Sequence, residues 1–257
     1  RCFAAGYDCG TLHDTLARWQ AGDHRRPLLA ITFDDGQLDN FEHARPVLAA
    51  HHVGATFFVP VGHIGTDRAL YHDRLGFGAL EAARAHGADS VRQMLGLAEA
   101  GGEARPALAH QVITEAKRRT PAERARWMSD LESVAPAAVP AWAGMMDWAH
   151  VVRLREEGHE IGSHSTTHAL LPQCTDDELH AETTGSRDML QQHLGREISS
   201  FCYPNGDHDE RVVSAVARAG YNAAVVTRWG LNTRGSHLFA LHRCDMSARH
   251  SRDSLGR

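Results

Sequence analysis

The chain has 257 residues, a formal net charge of −5, 42% hydrophobic residues and 23% charged ones, which suits one large α/β domain or two small ones with a substantial core. A net negative chain offers no basic footprint for nucleic acid. No apolar run approaches the roughly 18 to 20 residues needed to cross a bilayer, and the opening stretch RCFAAGYDCG lacks the positive-then-apolar layout of a secretory leader.

Taken in chain order, the first strong element is the run Leu28-Leu29-Ala30-Ile31, which leads through Thr32 and Phe33 into Asp34-Asp35-Gly36. It predicts a buried strand ending in a turn. Because side chains alternate along a strand, the two adjacent carboxylates are expected to point apart and to have separate tasks. Asp39-Asn40-Phe41-Glu42 predicts a capping box opening a helix interrupted at Pro46, and ATFFVPVG (55–62) predicts the second strand.

Residues from about 67 to 145 break this rhythm. They are rich in Ala, Arg, Glu and Leu and contain Thr120-Pro121-Ala122-Glu123, a capping box with Pro at the first helical position. They predict several helices without a strand, a helical insertion or lid inside a single domain spanning 1–257. Beyond it, Asp147 is expected to cap a helix stopped by Gly158, followed by the short strand HEIGS. Thr175 and Glu178 predict a capping box for a helix reaching Gly195, SSFCYP a strand, Asp207 with Glu210 the cap of a helix ending at Gly220, and NAAVVT and LFALHRC the last strands. Strands alternating with capped helices predict a mainly parallel α/β architecture.

Five cysteines (Cys2, Cys9, Cys174, Cys202, Cys244), odd in number, widely spaced and without a C-x-x-C pair, predict neither a disulfide framework nor a cysteine zinc site. Nineteen histidines make any single one a weak signal. His164 and His168, four apart after a strand in GHEIGSHSTTHALL, would share one side if the chain turned helically, a spacing that suits a divalent transition metal. Both the Asp pair and the His pair fall at C-terminal strand ends, the edge where α/β barrels and open sheets build sites. His51, His52 and His63 have no partner at ligand spacing and are expected to be structural. Trp142, Trp148 and Trp229 are expected in the core, with a sugar-stacking surface as the alternative.

TFDDG, then HEIGSHSTTH, then FCYPNG, in that order, resemble the polysaccharide deacetylase family (the NodB homology domain, carbohydrate esterase family 4), and the flanking words extend the resemblance over nearly the whole chain outside the insertion. The resemblance implies a distorted (β/α) barrel and a hydrolase acting on non-peptide carbon–nitrogen bonds, which removes N-acetyl groups from an amino-sugar polysaccharide or oligosaccharide. It further implies one divalent metal held by Asp35, His164 and His168, with Asp34 as general base. Zinc is the default, and Co, Ni, Mn or Fe also suit two imidazoles and a carboxylate. The implied partner is an N-acetylated glycan.

Two motifs depart from the family. Where the third carries Arg and an aromatic, this chain has Cys202 and Asn205. Asn205 can still offer a backbone N–H to an oxyanion, but the base loses its usual cationic partner. The last motif, a Leu-x-His, is unmatched by spacing, since Leu241 directly precedes His242. His242 is a candidate general acid or an ordinary strand residue, and Arg243 is a candidate replacement for the missing Arg, reaching Asp34 from a neighbouring strand. Ser165 is expected to steady the metal loop through its hydroxyl. Alternatives are an amidohydrolase for a small N-acyl or cyclic amide and a catalytically silent carbohydrate-binding protein, the latter disfavoured by the intact Asp34. Compartment and oligomeric state are left open by the sequence.

Overall fold

Residues 6–98, 105–135 and 139–246 are described in the computed structural model; Cys2 and residues 99–104 and 136–138 of the helical stretch lie outside them. Among the described residues, runs too short for helices become eight strands: β1 Asp8–Gly10, β2 Leu28–Ala30, β3 Thr32–Phe33, β4 Thr56–Val59, β5 Glu160–Ser163, β6 Ser200–Cys202, β7 Ala223–Trp229 and β8 Leu241–Arg243. β1 and β2 form a parallel pair, and the others form one parallel sheet in the order β3-β4-β5-β6-β7-β8. The strand expected across 28–33 is thus two. Ile31 marks the break, its carbonyl accepting the Thr56 N–H at 2.9 Å as the chain passes from one sheet to the other.

Strand alternation divides the side chains between two apolar clusters. Phe58, Cys202, Ala223, Val225 and Leu241 join Leu12 on the inner face, while Phe57, Val59, Ile161, Phe201, Tyr203, Ala224 and Val226 pack outward against helical residues such as Val151, Leu154, Leu190 and Val216. Each large apolar side chain so buried contributes roughly 1.5–3 kcal/mol. Gly162 is required on the inner face: a Cβ there would lie 2.5 Å from two ring atoms of Phe58 and 2.7 Å from Ser200 Oγ. At the N-terminal end the interior is polar but satisfied, with Glu160 accepting the Thr56 and Ser200 hydroxyls at 2.8 and 2.6 Å and the His13 N–H at 2.9 Å.

The sheet is curled until its edges meet. Arg243, on edge strand β8, donates to Thr32 Oγ1 at 3.1 Å and to Asp34, just past the opposite edge strand β3. A side chain therefore closes the gap that no backbone ladder spans, giving the distorted parallel α/β barrel expected from the motifs.

Helix ends follow local chemistry in most places. Thr120, Asp147 and Thr175 each make a full capping box, and Gly158 and Gly195 take positive φ at 91° and 61°. Two ends differ. Asp209, not Asp207, caps the helix Glu210–Arg218, accepting the Val212 N–H at 2.8 Å. Asp39 makes no side-chain cap; the segment it precedes is a π turn, Asn40–Ala44, running into the helix Arg45–Ala50 with Pro46 in its first turn.

Two compact units result, one of residues 1–66 and 146–257 and the other of residues 67–145. The second contains helices Tyr71–His86, Ala88–Leu95, Arg105–Ala116 and Pro121–Val134, with its own core of Leu75, Ala79, Leu108, Val112, Trp127 and Leu131. Among the described residues no helix is long and apolar enough to cross a membrane.

Candidate functional site

The acidic pair lies at the C-terminal edge of the sheet. Strand β3 ends at Phe33, and Asp35 takes a left-handed φ of 71°. The two carboxylates are separated by this turn and not by strand alternation, which corrects the expectation. The turn brings Asp35 Oδ1 within 3.3 Å of His164 Nε2 and 3.2 Å of His168 Nε2.

Nor does the His pair sit on a helix. His164 follows β5 directly, and the chain reaches His168 through an irregular loop with left-handed φ at Ser165 (65°) and His168 (58°). Such values are strained for residues with a Cβ, on the order of 1 kcal/mol or more each, and persist where surrounding contacts over-determine them. Those contacts are visible: Ser165 Oγ accepts the His168 N–H at 3.0 Å, and Ser163 Oγ accepts the Ser165 N–H at 3.2 Å. The imidazoles meet edge to face with centroids 4.8 Å apart.

Both imidazoles are buried. His164 Nδ1 pairs with the Cys202 carbonyl at 2.7 Å, which directs Nε2 toward Asp35. One carboxylate oxygen and two Nε2 atoms thus form a compact group of candidate ligand atoms, all within 4.8 Å of one another. Two nitrogens and an oxygen are a donor set that zinc and its neighbours accept. Burial alone would raise the Asp35 carboxyl, but hydrogen bonds from His164 and His168 outweigh it and hold the group well below the usual carboxylate range.

Asp34 borders this group, its carboxylate within 4.8 Å of a ring nitrogen of His164 and of the Cys202 thiol, but its partners are different. Arg243 grips it with a two-pronged pair, Nη1 to Oδ1 at 2.8 Å and Nη2 to Oδ2 at 2.7 Å. The Cys202 thiol donates to Oδ2 at 3.4 Å and accepts from Arg243 Nη2 at the same distance. Burial pushes the Asp34 carboxyl upward, yet the Arg243 pair overrides it and keeps the group ionised at neutral pH. Burial raises the Cys202 thiol, which remains protonated. The residue in the place of the family's Arg is therefore a neutral donor, while the cation arrives from β8.

His242 is not brought to the site, a correction with a simple cause. Leu241 and Arg243 face the barrel interior, so His242 between them faces outward, and a Cβ added to Gly230 would lie 2.7 Å from its Nδ1. Asn205 lies in the short turn Pro204–Gly206 beyond β6, with φ of 57° and its carbonyl accepting the Thr227 hydroxyl at 3.0 Å. Trp142 and Trp229 are exposed by 58% and 72%, against the expectation of core positions; Trp148 stacks on His193 with centroids 3.7 Å apart. Cys9, Cys174, Cys202 and Cys244 are free thiols.

Sequence reasoning missed Glu182, whose carboxylate accepts from the loop between the two histidines, and Asn40, which donates to the Asp34 carbonyl at 2.9 Å. An acid or amide inside a helical pattern carries no local signal for either task.

Residues 21–224 match the sequence model of a family described as polysaccharide deacetylase. The Bacillus subtilis (strain 168) protein YxkH, whose name assigns it provisionally to the polysaccharide deacetylases, is 26% identical over 103 residues, 40% of this chain and 37% of that protein. The match thus spans well under half of that relative's length. Streptococcus pyogenes deacetylase PplD, solved in complex with acetate, has the same fold with a TM-score of 0.63 at 17% identity, covering 98% of this chain and 79% of that one. IcaB from Ammonifex degensii gives 0.58 at 17% identity, covering 95% and 78%.

Proposed function

We propose, given that the chain belongs to the polysaccharide deacetylase family, that it removes N-acetyl groups from an amino-sugar glycan by hydrolysis at a centre holding one divalent metal. The observation that carries this reading is the division of labour between neighbouring carboxylates: Asp35 Oδ1 converges with two imidazoles, while both oxygens of Asp34 are committed to Arg243. Asp35, His164 and His168 would hold the ion, which when bound supplies Lewis acidity toward the acetyl carbonyl and makes water easier to deprotonate.

The protein's own groups account for the proton. Asp34 Oδ2 is filled by Arg243 and the Cys202 thiol, whereas Oδ1 receives Arg243 alone and keeps a lone pair. Asp34 takes the proton of the attacking water there as the oxygen–carbon bond forms. The Asn205 N–H is our candidate donor to the developing oxyanion, a role that needs no side chain. With His242 facing outward, Asp34 returns the same proton to the amine as the carbon–nitrogen bond breaks, leaving acetate and a free amino sugar. Arg243 keeps Asp34 ionised and stops it from becoming a further ligand, a task suited to a rigid guanidinium fork.

Trp229 supports a sugar substrate. It ends β7, where it is paired in register with Arg243, and it is 72% exposed. Trp229→Ala should raise KM for an oligosaccharide roughly 3- to 10-fold, the worth of one aromatic stacking contact, with kcat little changed. An unaltered KM removes the platform.

Acetate release from a panel of N-acetylated oligosaccharides, run beside small N-acyl and cyclic amides, tests the reading. Release from the oligosaccharides is expected. Turnover of small amides alone would replace the substrate class, and none at all would favour a silent carbohydrate-binding protein.

A further inference from the structure

Two segments of the helical layer are π turns, and each sends a side chain to the backbone of the site. Asn40, opening the turn Asn40–Ala44, donates to the Asp34 carbonyl at 2.9 Å. Glu182 lies in the turn Ala181–Gly185, between helices Asp176–His180 and Ser186–Leu194. Glu182 is only 7% exposed. Its Oε2 accepts the N–H groups of Thr166 and Thr167, both at 2.9 Å, and its Oε1 accepts the Thr167 hydroxyl at 2.6 Å.

The need for such an acceptor follows from the loop. Between its left-handed residues, Ser165 and His168, two successive N–H groups point the same way, and one carboxylate satisfies both. A π turn holds an extra residue, which rotates the side chains before it relative to those after it. Leu179 on one side and Leu190 and Leu194 on the other therefore stay in the core, while Glu182 faces the loop.

We propose that Glu182 is a positioning residue that holds the loop from His164 to His168 in its ligating shape and so sets the affinity of this site for a divalent cation. The proposal rests on the metal-centre reading above. It needs no contact between Glu182 and the ion, only three hydrogen bonds to the segment joining two ligands.

The test uses the full chain, Zn²⁺ as probe and a chromogenic chelator as competitor, with thermal unfolding of the metal-free protein measured alongside. Glu182→Ala should weaken Zn²⁺ binding on the order of 10- to 100-fold, as loss of an outer hydrogen-bond partner does. Glu182→Gln should recover most of it, because one carbonyl oxygen can accept both amides while the NH₂ group meets the Thr167 hydroxyl. Thr167→Ala, which loses the hydroxyl contact alone, should fall between and decides the matter if Glu182→Ala does not fold. Zn²⁺ affinity equal to wild type in Glu182→Ala, or a lowered melting temperature with affinity intact, overturns the proposal. A wild-type chain that binds no Zn²⁺ removes the metal centre and the proposal with it, so the two failures are distinct.

Discussion

Asp34→Asn is expected to yield a folded protein that retains its divalent ion and has lost a factor on the order of 10² to 10⁴ in turnover, the usual worth of a general base. The substitution deletes the proton acceptor and leaves Asp35, His164 and His168 untouched. It also turns one prong of the Arg243 fork from donor-to-acceptor into donor-to-donor, since Arg243 now meets both oxygens of Asp34 at 2.7–2.8 Å. Some loss of stability should accompany the loss of rate, of the order of 1–3 kcal/mol, tempered because the two side chains keep 18% and 25% of their exposure. Acetate release and elemental analysis on the same preparation check both parts. Near-normal turnover would mean that the roles of the two carboxylates have been exchanged; joint loss of metal and activity would mean that Asp34 is itself a ligand.

Removing the ion should be equally severe and, unlike a point substitution, reversible. The purified chain is expected to carry about one divalent metal, to lose acetate release on exhaustive chelation and to regain it on add-back of Zn²⁺ or a close neighbour in the series. His164→Ala and His168→Ala should each weaken binding beyond the roughly 10- to 100-fold that outer partners cost. His164→Ala should do further harm, because its Nδ1 pairs with the Cys202 carbonyl at 2.7 Å, which the truncated side chain leaves without that partner. Metal content unchanged in both variants would remove the site assignment.

What the sequence made legible was whatever depends on neighbours in the chain. The capping boxes at Thr120 and Thr175 and the cap at Asp147 are devices of a few residues and read correctly, and the apolar runs that became β4 to β8 announce themselves by composition. Where backbone conformation answers to distant contacts, reading failed. Nothing within LLAITF says that Leu28–Ala30 will pair with β1 and Thr32–Phe33 with β4. The left-handed values at Asp35, Ser165 and His168 are tolerated only because surrounding hydrogen bonds hold them, so helical spacing was the wrong guide to how the two histidines meet. Glu182 and Asn40 depend on π turns, and Asp39-Asn40-Phe41-Glu42 imitates an ordinary cap. Arg243 could be nominated only through chemical need: a carboxylate beside a cation site requires a counter-charge, and this Arg, next to His242 on the last strand, is placed to reach Asp34 from a neighbouring strand.

That last strand has a consequence for how the protein comes into being. The Arg243–Asp34 contact joins residues 209 apart in sequence, and contacts of such separation carry a loop-closure entropy that short-range ones escape. Asp35, His164 and His168 find hydrogen-bond partners in one another, in Cys202 and in Ser165, all outside β8, so a chain whose last strand has not docked leaves Asp34, and not the ligand group, without its partner. Recovery of catalysis during refolding should therefore lag behind recovery of secondary structure. Activity would then report the final event of folding, the arrival of the eighth strand beside the third.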